Sequence, residues 1–124
     1  MCDSLSVIIP TLNEERALPD VLASLTKILN SADEVIVVDA QSTDKTIAIA
    51  EKFGVRILIS EKAGRAAQLD IGARAALGMN LCFLHSDTTT PQNLAQIIHN
   101  VLEDKKTVLA GFVSIMSGKR SRWL

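Results

Sequence analysis

Residues 80–91, Asn-Leu-Cys-Phe-Leu-His-Ser-Asp-Thr-Thr-Thr-Pro, carry an apolar run into a cluster of polar groups. Leu81–Leu84 gives way to His85, Ser86, Asp87 and three threonines before Pro91. Capping a following helix needs one Ser, Thr or Asp. This segment supplies five such side chains and an imidazole. Three other apolar runs end in the same manner. The first leads into Pro10-Thr11-Leu12-Asn13-Glu14-Glu15, and the second ends at Asp39, followed by Ala40-Gln41-Ser42-Thr43-Asp44. The third leads into Ser60-Glu61-Lys62 and then Gly64-Arg65. Singly, each residue has an ordinary reading. Asn13, Ser42 and Asp44 read as helix caps, Asp39 as a turn residue and Arg65 as a solvated first-turn side chain. His85 alone reads as a hydrogen-bonded strand end rather than a metal ligand. The argument for a site lies in their convergence.

The elements that must position these groups alternate regularly. Leu5–Ile9 reads as a first strand, stopped by Pro10. Leu18, Val21, Leu22, Leu25, Ile28 and Leu29 recur at helical spacing, which predicts a helix over roughly 16–30. Glu34–Val38 is nearly all apolar, as a strand buried on both faces is. A short helix to Phe53 follows, with Gly54 as its C-terminal cap. Val55–Ile59 is a third strand, Gly64–Leu77 an alanine-rich helix, and Leu81–Leu84 a fourth strand. A helix from Thr90 and Pro91 carries one apolar stripe, and Thr107–Ile115 reads as a fifth strand. Alternation of this kind implies a mainly parallel sheet with right-handed crossovers. The Leu5 strand is expected at its centre, flanked by the strands from Val35 and Leu81. Ligands of such sheets bind beyond the carboxyl ends of the strands, where all four polar segments stand.

Composition narrows the class. Length allows one domain with a closed core. Apolar residues make up 48% and charged residues 22%, with a net charge of −1. This balance offers no nucleic-acid footprint and no anionic-membrane surface. The absence of tyrosine and the single Trp123 argue against a stacking surface for single strands. Cys2 and Cys82 make no metal pattern, and free thiols fit a cytoplasmic protein. No signal peptide and no run near the ~20 apolar residues of a membrane span is visible. There is no G-x-x-x-x-G-K-[ST] loop and no G-x-G-x-x-G after the first strand. There is also no G-x-S-x-G elbow, and His99 falls mid-helix.

The segments SVIIPTLNEE, EVIVVDAQSTDKT, KAGRAAQLDIGA and FLHSDT, in this order and spacing, resemble the N-terminal half of a family 2 glycosyltransferase. The likeness covers about residues 5–115 and is nearest to a bacterial subgroup whose metal motif reads His-x-Asp. It implies a Rossmann-like α/β fold of the nucleotide-diphosphosugar transferase type, GT-A, filling 1–124 as one incomplete domain. It implies that Pro10, Thr11 and Glu14, with Asn13 in the same loop, line a nucleotide-sugar pocket. Asp39 would accept a hydrogen bond from base or ribose, and Arg65 would lie near the diphosphate. Asp87 would bind Mg2+ or Mn2+, with His85 an outer partner or a weak ligand. Ser86 would bond the ribose or satisfy the turn. A strand that stops on a carboxylate stops where such a cation would sit.

The chain also departs from the family. Glycine is common there at the positions of Gln41 and Lys45, and asparagine at Asp70. The acceptor site and catalytic base of the family lie in its C-terminal half. Two readings follow: an inverting transferase or a piece of one, and a non-catalytic nucleotide-binding remnant that needs a partner chain. The donor sugar, its base and the acceptor stay open. A receiver-like signalling module is disfavoured by the Pro-Thr-Leu-Asn-Glu and His-Ser-Asp-Thr segments. The apolar run from Val108 to Ile115 is further expected to self-associate, together with the Trp123 tail.

Overall fold

A computed structural model describes residues 4–107 and 109–111. The order is β1 (Leu5–Thr11), α1 (Leu18–Ile28), β2 (Glu34–Asp39), α2 (Thr46–Lys52), β3 (Arg56–Ile59), α3 (Arg65–Ala75), β4 (Asn80–Phe83) and α4 (Leu94–Leu102). The sheet has four strands in the order β3-β2-β1-β4. Each pairing is parallel. β1 is central between β2 and β4, as expected from the sequence.

Alternation on β1 divides the core. Leu5, Val7 and Ile9 face the layer of α1, α2 and α4, where Leu18, Leu22, Leu25, Ala50, Leu94 and Ile98 are buried. Ile8 faces α3 together with Ile36 and Val38, and Leu69, Ile71 and Ala73 pack there. Because both faces are covered, β1 and β2 read as apolar runs rather than alternating ones. Each fully buried Leu or Ile of this set contributes about 1.5–3 kcal/mol. The α3 face is a single helix thick, and α3 comes very close. A Cβ placed on Gly72 would collide with Ile8 Cγ2. Only glycine permits that approach.

α1 is two residues shorter at each end than the span of roughly 16–30 expected, and α3 and α4 differ from their expected bounds for reasons the hydrogen bonds give. α3 ends at Ala75 because Ala76 turns extended (ψ 137°) and the next two amides leave the helix. Leu77 N–H donates to Glu34 Oε2 (2.6 Å) and Gly78 N–H to Ser6 Oγ (2.8 Å). α4 begins at Leu94, after a turn in which Leu94 N–H donates to Pro91 O (3.1 Å). In the span of the expected fifth strand, 107 and 109–111 belong to no helix or strand. The rest of that span, and the Trp123 tail on which self-association was expected to rest, lie outside the described residues. Among those residues, no helix is long and apolar enough to cross a membrane.

Candidate functional site

The parallel register sets Thr11 beside Asp39, the last residues of β1 and β2. Both side chains are buried, Asp39 completely. A buried carboxylate must be hydrogen-bonded, and Asp39 is. Thr11 Oγ1 donates to Oδ1 (2.7 Å), Ser42 N–H to Oδ2 (2.7 Å) and Ser42 Oγ to Oδ1 (2.6 Å). Ser42 returns to Asp39 because Gln41 adopts φ 61°, in the left-handed region. That region favours glycine, and this chain meets it with a strained glutamine. Lys45, with φ −84°, needs no glycine.

The β1–α1 loop is laced to the β2–α2 loop. Asn13 N–H donates to Ser42 Oγ (2.8 Å), and Asn13 Oδ1 accepts from Thr43 N–H (2.9 Å). Glu14 N–H donates to Thr46 Oγ1 (2.9 Å), and Asp44 accepts from Glu15 N–H (3.2 Å) and Thr46 N–H (2.9 Å). Desolvation acts to raise the Asp44 carboxyl. The bonds from Thr46 and the Glu15 N–H outweigh it and hold the group below its ordinary value.

Beside this floor lies a cleft of about 310 Å3. Pro10, Thr11, Leu12 and Glu14 wall one side, and Gly64, Arg65 and Gln68 from the start of α3 another. His85, Ser86 and Asp87 close it from the end of β4. Leu84 N–H donates to Ile8 O (3.0 Å), which carries β4 up to the cleft before a turn closed by Thr88 N–H on His85 O (3.2 Å). Within that turn Ser86 is buried while His85 and Asp87 are exposed. Six of the predicted site residues therefore share one cleft: Pro10, Thr11, Glu14, Arg65, Ser86 and Asp87. His85 joins them, whereas Asn13 and Asp39 lie in the network beneath and are not part of the lining.

Among the described residues no three His, Cys, Asp or Glu side chains gather as a protein-only metal cage. One exposed carboxylate and one exposed imidazole, two residues apart, suit a different kind of site. They fit a cation that fills its other positions with phosphate oxygens and water, as Mg2+ does. Asp70 does not bring its charge inward unpaired. It is exposed and bonds Arg74 one turn on (3.0 Å). A larger hollow of about 370 Å3 opens at the opposite edge of the sheet, lined by Leu25, Asn30, Asp33, Glu34 and Arg56 among others. Its Glu34 and Arg56 already pair with each other (3.4 Å), which leaves the smaller cleft as the candidate site.

Sequence reasoning overlooked Gln68 and took Ser42 for a cap only. Gln68 is buried, and its Nε2 donates to Thr11 O and Val38 O, both at 2.9 Å. The available signal was the spacing Gly64, Gln68, Gly72, which marks one face of α3 as the close-packed one.

The profile of Glycosyl transferase family 2 matches residues 6–124. A dolichyl-phosphate hexose transferase of Haloferax volcanii is 30% identical over 109 residues, which is 88% of this chain and 47% of that protein. An uncharacterized glycosyltransferase of Haemophilus influenzae is 30% identical over 84% of this chain and 36% of its own length. Among solved structures, S. aureus TarS 1-349 superposes with TM-score 0.75 at 28% identity, over 82% of this chain and 32% of that one. M. tuberculosis glucosyl-3-phosphoglycerate synthase, in complex with Mn2+, uridine diphosphate and glucosyl-3-phosphoglycerate, gives TM-score 0.64 at 30% identity, over 72% and 35%. These neighbours have the GT-A fold that the family resemblance implied. The chain spans under half the length of each of these relatives. With its fold, its cleft and the whole length of its profile match in agreement, the chain belongs to glycosyl transferase family 2.

Proposed function

We propose that this chain is the donor-binding part of an inverting glycosyltransferase, of the subgroup whose metal motif reads His-x-Asp. Its donor is a nucleotide-diphosphosugar. The observation that carries the reading is the meeting of Arg65 and Asp87 in one cleft with Thr11, on a floor that Asp39 holds in place. Pro10, Thr11 and Glu14 wall the nucleoside. Arg65 offers a guanidinium to the diphosphate, the group such a fork fits best. Asp87, with His85 beside it, would hold Mg2+ or Mn2+, which would supply positive charge to a departing diphosphate. Asp39 is wholly buried, so it meets base or ribose only where the Ser42 loop yields. In the arrangement seen it serves by holding Thr11. Ser86 holds the turn that presents His85 and Asp87.

Transfer is a direct displacement. An acceptor hydroxyl oxygen forms a bond to the anomeric carbon as that carbon's bond to the diphosphate oxygen breaks. The hydroxyl proton passes to a carboxylate base, and we assign the base to no residue of this chain. The acceptor is of unassigned class. Calorimetric titration with a panel of nucleoside diphosphates, with and without Mn2+, tests the reading. A member of the panel that binds at least tenfold tighter with Mn2+ is expected. Equal or absent binding in both conditions would overturn it.

A further inference from the structure

Gln68 is 4% exposed and still contributes to the cleft. Its two Nε2 hydrogens go to carbonyls of neighbouring strands, Thr11 O and Val38 O. Its Oε1 accepts from Gly64 N–H (3.4 Å), at the residue before α3. One amide thus joins the end of β1, the end of β2 and the start of the helix that carries Arg65. A neutral amide is the group for this task, since it offers two donors and an acceptor. An ionised glutamate offers no donor, and leucine offers neither donor nor acceptor. Sheet pairing does not require it. The ladder already runs to Thr11 and Asp39, and Ala40 N–H supplies Thr11 O with a backbone donor (3.0 Å). Burying an amide is unfavourable unless its bonds are made, so its place calls for a role beyond the ladder.

That role follows from what stands at each end. Thr11 belongs to the nucleoside side of the cleft and Arg65 to the diphosphate side. We infer that Gln68 is a positioning residue that fixes the span between these two sides, so that Arg65 meets the diphosphate of a nucleotide seated on Thr11. The inference rests on the nucleotide-binding reading above.

A double-mutant cycle tests it on the 124-residue chain. Binding of uridine diphosphate and of uridine, each with Mn2+, is measured for wild type, Gln68→Leu, Arg65→Ala and the double variant. Arg65→Ala is expected to weaken uridine diphosphate binding about tenfold in the wild-type background and by less than about twofold beside Gln68→Leu, the mark of coupled residues. Uridine, which has no diphosphate, should be insensitive to Arg65→Ala in either background. An Arg65 effect of equal size in both backgrounds means that Gln68 merely fastens strands, and overturns the proposal. So does an Arg65→Ala variant that binds uridine diphosphate as wild type does. If Gln68→Leu fails to fold in a thermal melt, Gln68→Asn, which keeps the amide on a shorter stem, enters the cycle with the same criteria. Failure of both to fold shows a purely structural clamp and also overturns the proposal. A folded wild-type chain that binds no nucleoside diphosphate overturns the nucleotide-binding reading, and this inference with it.

Discussion

β2 begins on a carboxylate, Glu34, and ends on another, Asp39, at opposite edges of the sheet. Both accept a hydroxyl from the neighbouring position on β1, Ser6 in one case (2.7 Å) and Thr11 in the other (2.7 Å). Both also accept an amide from a following loop, Leu77 N–H or Ser42 N–H. They differ in what stands around them. Glu34 has a cation at hand in Arg56, whose Nη1 also donates to Ala75 O (2.7 Å), and the group closes on itself. Asp39 has hydroxyls and an amide as donors, and the charged groups nearby face a cleft instead of one another. The same motif is a staple where its charges are matched and a floor where they are left for something else. Charge pairing, rather than burial or the size of a hollow, separates the closed edge from the one that holds the candidate site.

The sharpest way to break this comparison is Asp39→Ala. It leaves three donors without their acceptor, at about 1–3 kcal/mol for each that stays buried and unpaired. Urea unfolding should show a loss near 3 kcal/mol, with nucleotide binding lost as well. Asp87→Asn is the next largest and falls on function alone. Asp87 is exposed, so the melting temperature should hold while Mn2+-dependent nucleotide affinity drops at least tenfold. Unchanged metal-linked binding in a folded variant would make Asp87 a turn residue.

At the other edge the expected effect is smaller and lies in stability. Desolvation acts to raise the Glu34 carboxyl. The Ser6 hydroxyl, the Leu77 N–H and Arg56 outweigh it and hold the group below its ordinary value. A depressed carboxylate contributes stability that is full above its unfolded value and lost as pH falls through its folded value. Glu34→Gln should therefore cost on the order of 1 kcal/mol at neutral pH, flatten the acid limb of the stability curve and leave nucleotide binding intact. The half-exposed ion pair with Arg56 supplies little of this. The mildest change is Gln41→Gly, which relieves the φ 61° backbone and should raise stability by roughly 0.5 kcal/mol. A loss instead would show that the freedom glycine adds to the unfolded chain outweighs the strain relieved at Gln41.

The fold was legible because its signals are local. Apolar runs of five or so residues between amphipathic helices fixed the strands, and alternation fixed the parallel order. The cleft was legible as a set, since four strand ends each broke into polar residues. What local signals missed was made by distant partners. The end of α3 is decided by Glu34 and Ser6, far from Ala76 in sequence. Gln68 looked like one more polar residue on an alanine-rich helix, and its partners are Thr11 and Val38. Ser42 looked like a cap, whereas it is Asp39 that it bonds. The full burial of Asp39 was unforeseen for the same reason. A strand-end aspartate reads as exposed until a neighbouring loop folds over it.

The missing side chain at position 72 has a mechanical consequence. Because α3 touches down on Ile8 and Val38 there, Gly72 acts as a fulcrum, and the helix above it is a stiff arm. Arg65 lies seven residues along that arm, roughly 10 Å at 1.5 Å per residue. A methyl group added at the fulcrum would lift the arm off the sheet and swing its tip, together with the Gln68 clamp, away from the β1 end. The alignment of the cleft is therefore set in part by a residue that no ligand could touch, and drift in substrate fit can arise from deep in the core without any change at the rim.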